Sequence, residues 1–254
     1  QGDLMPWADQ QSAAHRFGLS YRQVEQVALE NGLLPARYQR NRNMISLQEQ
    51  LRLFRSRAVV VGCGGLGGYI IEELARLGVG HIVAVDYDVF EEHNLNRQLL
   101  ATPDFLGMNK VAAAARRVDR LNPSVDLIPV CEAFGTENGR QILAGADIAI
   151  DGLDSITVRL ELAEACRAEN IPLVYGSIAG WYAVNFQASG PWKRSLPTIP
   201  VAGGWKPSLE TPLLLRRLLP VWKWLKPARY SLIGGRRQED AVCPLICWIW
   251  NLSK

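Results

Sequence analysis

Histidine and paired cysteine are the scarcest chemistry-bearing features of this sequence. The 254 residues include three histidines and five cysteines, and no two cysteines form a C-x-x-C pair. Because structural zinc sites and disulfide frameworks need clustered ligands, the sequence predicts neither, and a reducing cytoplasm is the expected environment. His15, His81 and His93 also stand in no arrangement that would suit catalysis by a Ser/His/Asp set.

Long apolar runs are missing as well. No stretch approaches the roughly 20 consecutive apolar residues that a membrane span requires. The N-terminus starts at Gln1 and not at a methionine, and it lacks the basic start and apolar stretch of a secretory signal. We therefore expect a cytoplasmic protein without a membrane-spanning segment.

Short apolar runs alternate with helical patterns over most of the chain. Near-continuous apolar strands separated by helices are typical of a parallel sheet covered on both faces. The expected fold class is therefore α/β, with a doubly wound, mainly parallel, Rossmann-like sheet after a short helical N-terminal segment over residues 1–36. The predicted strands are residues 58–61, 82–85, 126–130, 148–150 and 173–175, and the predicted helices are residues 19–34, 45–54, 66–77, 109–121, 137–143 and 156–168.

A glycine-rich turn follows the first strand of this predicted sheet. Gly62, Gly64 and Gly67 in "VVVGCGGLGG" have the spacing G-x-G-x-x-G, which lets backbone amides approach a phosphate at a helix start. Asp86 ends the next strand, where a carboxylate accepts hydrogen bonds from ribose hydroxyls. Together they predict an adenine nucleotide, and they leave open whether it is NAD or ATP.

Polar and charged residues follow the later strands, at the edge where parallel sheets bind ligands. The segment "NLNRQ" (Asn94–Gln98) is either an exposed loop or a phosphate-binding segment, and Lys110 is either a solvated lysine or part of the same site. In "IDGLDS", Asp151 and Asp154 follow the fourth strand, where one carboxylate could hold Mg²⁺ against phosphate oxygens. Asp154 could also cap the next helix, which is compatible with metal binding.

Taken together, these motifs resemble the ThiF/MoeB/HesA family, the adenylating branch of the ubiquitin-activating superfamily. They run in unbroken order from "RYQRN" at Arg37 to "VYGSIAGWY" ending at Tyr182, with "GCGGLG", "VDYDVFEEHNLNRQ", "GMNK" and "DGLDS" between them. The resemblance implies an adenylation domain over residues 37–183, in which Asp154 positions Mg²⁺ and Arg40 reaches across a dimer interface into the partner's site. The other residues that it implies in ATP binding are Gly62, Gly64, Gly65 and Gly67 in the glycine turn, Asp86 at the ribose, Asn94, Arg97, Gln98 and Lys110 at the phosphates, and Ser155 beside Asp154.

The resemblance also implies a reaction. In this family a small ubiquitin-like sulfur-carrier protein presents its C-terminal Gly-Gly carboxylate to the α-phosphate of ATP, which yields an acyl-adenylate and pyrophosphate. A carboxylate needs no general base to attack, so arginine, lysine and Mg²⁺ suit the chemistry. The implied protein is an adenylyltransferase for molybdopterin- or thiamine-type sulfur transfer, and a homodimer if its tail is in frame. Because the chain has no C-x-x-C pair we expect no zinc, and we expect neither nucleic acid nor a membrane as a partner.

Two alternatives stay open at the level of sequence. One is a non-catalytic nucleotide-binding or interaction protein on the same fold, because fold alone does not decide function. The other is an NAD-dependent oxidoreductase, for which the chain offers no separate substrate domain with a proton-transfer residue. The joint presence of Arg40, Arg97, Lys110 and Asp154 favours the adenylyltransferase.

The composition changes after about residue 183. Residues 185–254 hold 11 Lys and Arg against 3 Asp and Glu, together with six of the eight tryptophans and eight of the fourteen prolines. A basic tail that binds nucleic acid or a membrane is the simplest interpretation. If the codons are shifted by one base, however, three stretches admit residues that resemble the late part of the family, such as "SLEVAE" across Val221–Lys226. We therefore hypothesise that residues 184–254 are translated out of frame, which would impair this copy.

Overall fold

A six-stranded sheet with helices on both faces organises the chain. The structure, a computed structural model, describes residues 3–179 and the strand Tyr182–Ala188. The strands are β1 (Leu4–Met5), β2 (Leu34–Pro35), β3 (Arg57–Val61), β4 (His81–Val85), β5 (Asp126–Val130), β6 (Ile148–Asp151), β7 (Leu173–Ala179) and β8 (Tyr182–Ala188). The α-helices are α1 (Trp7–Phe17), α2 (Tyr21–Glu30), α3 (Leu47–Arg55), α4 (Gly67–Leu77), α5 (Lys110–Leu121), α6 (Gly139–Leu143) and α7 (Ile156–Ala168).

The strand order of the large sheet reverses in its middle. The order is β5-β4-β3-β6-β7-β8, and every neighbouring pair is parallel except β7 with β8. Val61 of β3 is in register with Val85 of β4 and with Asp151 of β6, so these three strands end at one level. Ligands of open α/β sheets bind in the crevice beyond the carboxyl ends of the strands at such a reversal, which here lies between β3 and β6.

Both faces of the central strand β3 are packed against helices. Ala58 and Val60 belong to the core under α4 and α5, whereas Val59 and Val61 belong to the core under α6 and α7. Because successive side chains of a strand point to opposite faces, a strand that is covered on both sides needs an uninterrupted apolar run. The sequence "AVVV" meets that requirement.

The N-terminal segment, residues 3–36, forms two helices and a small parallel sheet in which Leu4 of β1 pairs with Leu34 of β2. Ser20 begins α2 with a capping box that it forms with Gln23. Leu34 also joins a buried cluster that spans the segment and α3, with the members Leu29, Leu34, Tyr38 and Phe54. The segment is therefore packed onto the rest of the chain.

The predicted fold class is confirmed, and β5 and α7 have the predicted bounds. Helix α1 was not predicted, because "WADQQSAAHRF" has too few apolar residues to show a helical period. The last two strands form an antiparallel pair, and β8 includes residues 184–188 of the stretch that we hypothesise to be translated out of frame. Residues 189–254 lie outside the described part of the chain. Within the described part, none of the helices combines the length and apolar character needed to cross a membrane.

Candidate functional site

Two glycine turns meet backbone to backbone where the strand order reverses. Gly62, directly after β3, has a φ of +91°, and its N–H donates to the Val85 carbonyl at 2.8 Å. A Cβ on Gly67 would lie 1.7 Å from the Gly62 carbonyl oxygen, and a Cβ on Gly152, after β6, would lie 2.7 Å from the same atom. The close approach of the two turns therefore requires all three glycines.

Gly64 and Gly65 face side chains of a later segment instead. A Cβ on Gly64 would lie 3.5 Å from Nε2 of Gln98, and a Cβ on Gly65 would lie 3.9 Å from Cγ of Arg97. The Gln98 side chain is buried, and its Oε1 has no hydrogen-bond partner among the residues that the structure describes. Arg97 and Gln98 therefore cover the glycine turn and leave a buried polar atom that a bound ligand could satisfy.

Three helices start at this edge without a side-chain cap. The residues that precede α4, α5 and α7 are Leu66, Asn109 and Ser155, and none of them makes a side-chain capping hydrogen bond. An uncapped first turn leaves backbone N–H groups and the positive end of the helix dipole for an anion. The edge is therefore suited to phosphate groups.

Asp86 ties the glycine turn to the chain that follows β4. Its Oδ2 accepts the Cys63 N–H at 2.7 Å, and its Oδ1 accepts the Asp88 N–H at 2.9 Å. The residue stays partly exposed, and each carboxylate oxygen can accept a further hydrogen bond, as a ribose hydroxyl would require.

The Cys63 thiol is unsuited to nucleophilic catalysis. It is completely buried, and burial, followed by the charge of Asp86, raises the pKa of Cys63 well above its usual range. Only the thiolate is a strong nucleophile, so this thiol stays unreactive near neutral pH. Cys63 is therefore a small packing residue in the turn.

Lys110 is buried and paired. Its Nζ donates to Oδ2 of Asp88 at 2.8 Å, and its backbone N–H donates to the Asp88 carbonyl at 3.0 Å. The Lys110 side chain is 8% exposed, so the alternative of a solvated lysine is wrong. Sequence reasoning missed Asp88, although the D-x-D spacing in "VDYDV" placed it next to Asp86 at the same strand end.

The two aspartates after β6 have different environments. Asp151 is buried, its Oδ1 accepts the Leu153 N–H at 2.8 Å, and its Oδ2 lies 3.5 Å from Nε of Arg159. Arg159 also donates to the Leu153 carbonyl at 3.1 Å. Both the N–H and the carbonyl of Leu153, the residue before Asp154, are therefore hydrogen-bonded. Asp154 itself is exposed, and the N-cap of α7 is Ser155, not Asp154. Asp154 is therefore the carboxylate that is open to a ligand.

A metal ion at this edge of the sheet would have to be held largely by the phosphates of a bound nucleotide. Among the described residues, no group of three His, Cys, Asp or Glu side chains could hold a metal ion. Mg²⁺ needs only one or two carboxylates when substrate phosphates and water supply its other ligands. One exposed carboxylate, that of Asp154, is enough for such an arrangement.

Two predicted residues remain: Asn94 lies at this edge of the sheet, and Arg40 lies near the opposite end of α4. Asn94 is buried and its Oδ1 accepts the Glu91 N–H at 2.9 Å, which fixes the turn before Arg97.

Arg40 is exposed on the 3₁₀ helix Ala36–Asn41, whose Tyr38 lies beside Gly78 at the opposite end of α4 from Gly67. The fold thus gathers the predicted residues at one edge with the exception of Arg40. Gly152 and Arg159, which sequence reasoning missed, follow β6 as "DGLDSITVR" would have indicated.

Comparisons with known proteins agree on one group of relatives. The profile described as "ThiF family" matches residues 38–193. The SAMP-activating enzyme E1 of Haloferax volcanii is 42% identical over 157 residues, which are 61% of this chain and 58% of that enzyme. The adenylyltransferase and sulfurtransferase MOCS3 of Arabidopsis thaliana is 34% identical over 181 residues, which are 68% of this chain and 39% of that protein.

Solved structures give a similar result. The crystal structure of E. coli tRNA N6-threonylcarbamoyladenosine dehydratase, TcdA, in complex with ATP superposes with a TM-score of 0.56 at 30% identity. The superposition covers 58% of this chain and 61% of that chain. The matched region thus spans less than two thirds of each of these three proteins.

Proposed function

The chain belongs to the ThiF family, and from that premise we propose that it is an adenylyltransferase that activates the C-terminal Gly-Gly carboxylate of a small ubiquitin-like sulfur-carrier protein with ATP and Mg²⁺. The observation that carries the proposal is that Arg97 and Gln98 lie over Gly64 and Gly65, at the sheet edge where Lys110 is buried in the first turn of α5. A cation beside the uncapped start of α4 and another in the first turn of α5 suit a triphosphate better than a hydride-transfer cofactor. The names of the Haloferax and Arabidopsis relatives support the same activity.

In the proposed complex the chain's own residues bind and orient ATP. The turn from Gly64 to the start of α4 would hold the phosphates with backbone N–H groups, and Asp86 would accept the ribose hydroxyls. Arg97 and Lys110 would neutralise phosphate charge. Mg²⁺, held through Asp154, would supply further positive charge at the phosphate oxygens.

The reaction needs positioning more than proton transfer. A carboxylate oxygen of the carrier would attack the α-phosphorus, the bond from that phosphorus to the pyrophosphate oxygen would break, and an acyl-adenylate would form. No proton moves in this step, so the absence of a buried catalytic base or nucleophile around the described glycine turn is no obstacle. Arg40 would complete the site of a partner subunit in a homodimer, because its own chain holds it at the far end of α4.

ATP–pyrophosphate exchange tests the proposal directly. Purified full-length chain and a version restored to the shifted frame after residue 183 are incubated with ATP, Mg²⁺, labelled pyrophosphate and recombinant carriers of the molybdopterin and thiamine type. We expect label to enter ATP only when a carrier with an intact Gly-Gly end is present. The carrier that supports exchange identifies the pathway.

Two outcomes would contradict the proposal. ATP binding without exchange by the restored chain, whichever carrier is added, would favour a non-catalytic nucleotide-binding protein. Absence of exchange together with binding of NAD would favour the oxidoreductase. A carrier that lacks its last glycine is the matched negative control in both cases.

A further inference from the structure

A buried polar network connects the N-terminal segment to the 3₁₀ helix that carries Arg40. Glu25 of α2 is completely buried, and its Oε1 accepts the Tyr38 hydroxyl at 2.9 Å while its Oε2 accepts Nε2 of Gln10 at 3.4 Å. The Tyr38 oxygen in turn accepts Nδ2 of Asn122 at 2.8 Å, directly after α5. Gln10, Tyr38 and Asn122 are each 1% exposed, so the whole chain of hydrogen bonds is shielded from water.

Arg37 forms a second connection between the same elements. Its guanidinium donates to Oε1 of Gln10 at 3.1 Å and to Oδ1 of Asn122. The same group lies over the ring of Trp7 in α1, 5.0 Å from its centroid. Two successive residues of "RYQRN", Arg37 and Tyr38, are therefore bound to α1, α2 and the end of α5.

Such a network fixes geometry more strictly than apolar packing does. A buried carboxylate is tolerated only when its oxygens are paired, and each of these pairs has a preferred distance and direction. Burial, followed by the charge of Glu25, raises the pKa of Tyr38 well above its usual range, so its hydroxyl remains a donor. Arg40 lies two residues beyond Tyr38 on the same 3₁₀ helix and is exposed.

We propose that the N-terminal segment is a brace for the 3₁₀ helix Ala36–Asn41, and that Glu25 and Tyr38 are positioning residues for Arg40. The inference rests on the proposed function, because it assigns Arg40 to phosphate binding in the partner's site. The match to the ThiF family covers residues 38–193, so the N-terminal segment lies outside the matched residues. The hydrogen-bond network supports the brace, and the proposed function supplies the role of Arg40.

A double-mutant cycle on nucleotide binding tests the brace. Glu25→Leu, Arg40→Ala and the double variant are made in the full-length chain, and dissociation constants are measured for MgATP and for adenosine, which has no phosphate. We expect Arg40→Ala to weaken MgATP binding roughly tenfold, the effect of losing one charge-assisted hydrogen bond. Glu25→Leu should weaken it by a similar factor, the double variant should bind no more weakly than Arg40→Ala, and adenosine binding should not change.

A matched variant separates positioning from stability. Glu72 is another buried carboxylate, 6% exposed and paired with Arg76 of α4 and Arg117 of α5, and it has no part in the network. Glu72→Leu should lower the melting temperature without weakening MgATP binding. If Glu25→Leu does not fold, Arg37→Ala replaces it in the cycle, because Arg37 is exposed and its truncation removes only the second connection while Glu25 and Tyr38 stay in place.

Several outcomes would overturn the inference. One is unchanged MgATP binding by both Glu25→Leu and Arg37→Ala. Another is a double variant whose loss of MgATP affinity equals the product of the two single losses. A third is a loss of adenosine affinity as large as the loss of MgATP affinity. Normal MgATP binding by Arg40→Ala would remove both the role of Arg40 and the inference built on it. Expected binding results without any pyrophosphate exchange would leave the brace supported and the proposed adenylyltransferase refuted, so the two failures are distinguishable.

Discussion

Burial separates the charged residues of this protein into two groups. Lys110 and Asp151 are buried, and each has an ion-pair partner, Asp88 and Arg159 respectively. Asp154 is exposed at the same edge. Because a buried charge without a partner is strongly destabilising, pairing is what allows the first group to be buried. The exposed carboxylate is free to meet a ligand.

The first residue-scale prediction concerns Lys110 and Asp154. In the frame-restored chain, Lys110→Ala or Asp154→Ala should lower carrier-dependent pyrophosphate exchange at least about a hundredfold, since each change removes charge that stabilises the transition state. Circular dichroism should stay close to that of the unaltered chain in both variants, and only Lys110→Ala should lower the melting temperature, because Lys110 is buried and paired with Asp88. Arg117→Ala and Asp119→Ala, on α5, are the matched controls and should retain exchange. Normal exchange by a Lys110 or Asp154 variant would remove that residue from the mechanism.

The second residue-scale prediction concerns the buried thiols. Burial raises the pKa of Cys166 to about 12, from an ordinary value of 9.0. The unfolded chain therefore loses this proton at lower pH than the folded chain, so stability is complete below pH 9 and is lost as the pH rises toward 12. We expect the free energy of unfolding to fall by about 1.4 kcal/mol per pH unit for such a thiol above pH ~9.

Urea unfolding between pH 8.5 and 10 measures this effect. Cys166→Ala should remove the contribution of one thiol from the pH dependence of the free energy of unfolding. The contribution of Cys63, whose pKa is also raised by burial, should remain. Stability that does not change with pH in the unaltered chain would contradict the assignment.

At the scale of elements, the glycine turn after β3 has two separate tasks. Gly62 and Gly67 allow the backbone after β3 to pack against Gly152 after β6. Gly64 and Gly65 lie beside Gln98 and Arg97, where an added Cβ would make only ordinary van der Waals contact. The ends of the G-x-G-x-x-G spacing therefore serve packing, and we propose that the backbone N–H groups in its middle bind phosphate.

A substitution at Gly67 tests the packing task. Gly67→Ala should destabilise the fold by about 3 kcal/mol or more, because its Cβ would collide with a backbone oxygen that cannot rotate away. Gly18→Ala is the control: Gly18 has a φ of +64° and open space around its Cβ position, so the expected loss is only about 1 kcal/mol of backbone strain. Equal losses for the two variants in urea unfolding would show that the contact between the turns is dispensable.

At the scale of the whole molecule, the charge of the chain is divided unevenly. Residues 1–184 carry 17 Lys and Arg against 22 Asp and Glu, whereas residues 185–254 carry 11 against 3. The described part of the chain supplies the strands and helices that surround the candidate site. The reading-frame hypothesis concerns the other part, and it has a direct test.

Resequencing of the gene should reveal one base gained, or two lost, near codons 183–185. The frame-restored chain should then unfold in one cooperative transition and support faster pyrophosphate exchange than the chain with the present tail, since the last strands and helix of the family would be restored. An unbroken gene, together with tryptic peptides from residues 189–254 in the purified native protein, would refute the hypothesis.

The sequence by itself determined the fold class, the family and the strand ends at which the polar residues stand. Glycine spacing, apolar runs such as "AVVV" and the residue that follows each strand are local features, and local features constrain the backbone directly. The match of residues 38–193 to the ThiF family confirms the family that the motifs predicted.

Only the tertiary structure decided which of these residues touch. Lys110 pairs with Asp88, 22 positions away in the sequence, and Gly62 contacts Gly152, 90 positions away. The buried network joins Gln10 to Asn122, which are 112 positions apart. Such contacts depend on how strands are ordered and helices packed, and no local pattern contains that information. The sequence therefore located the ends of the strands, and the packing of the sheet turned those ends into one site.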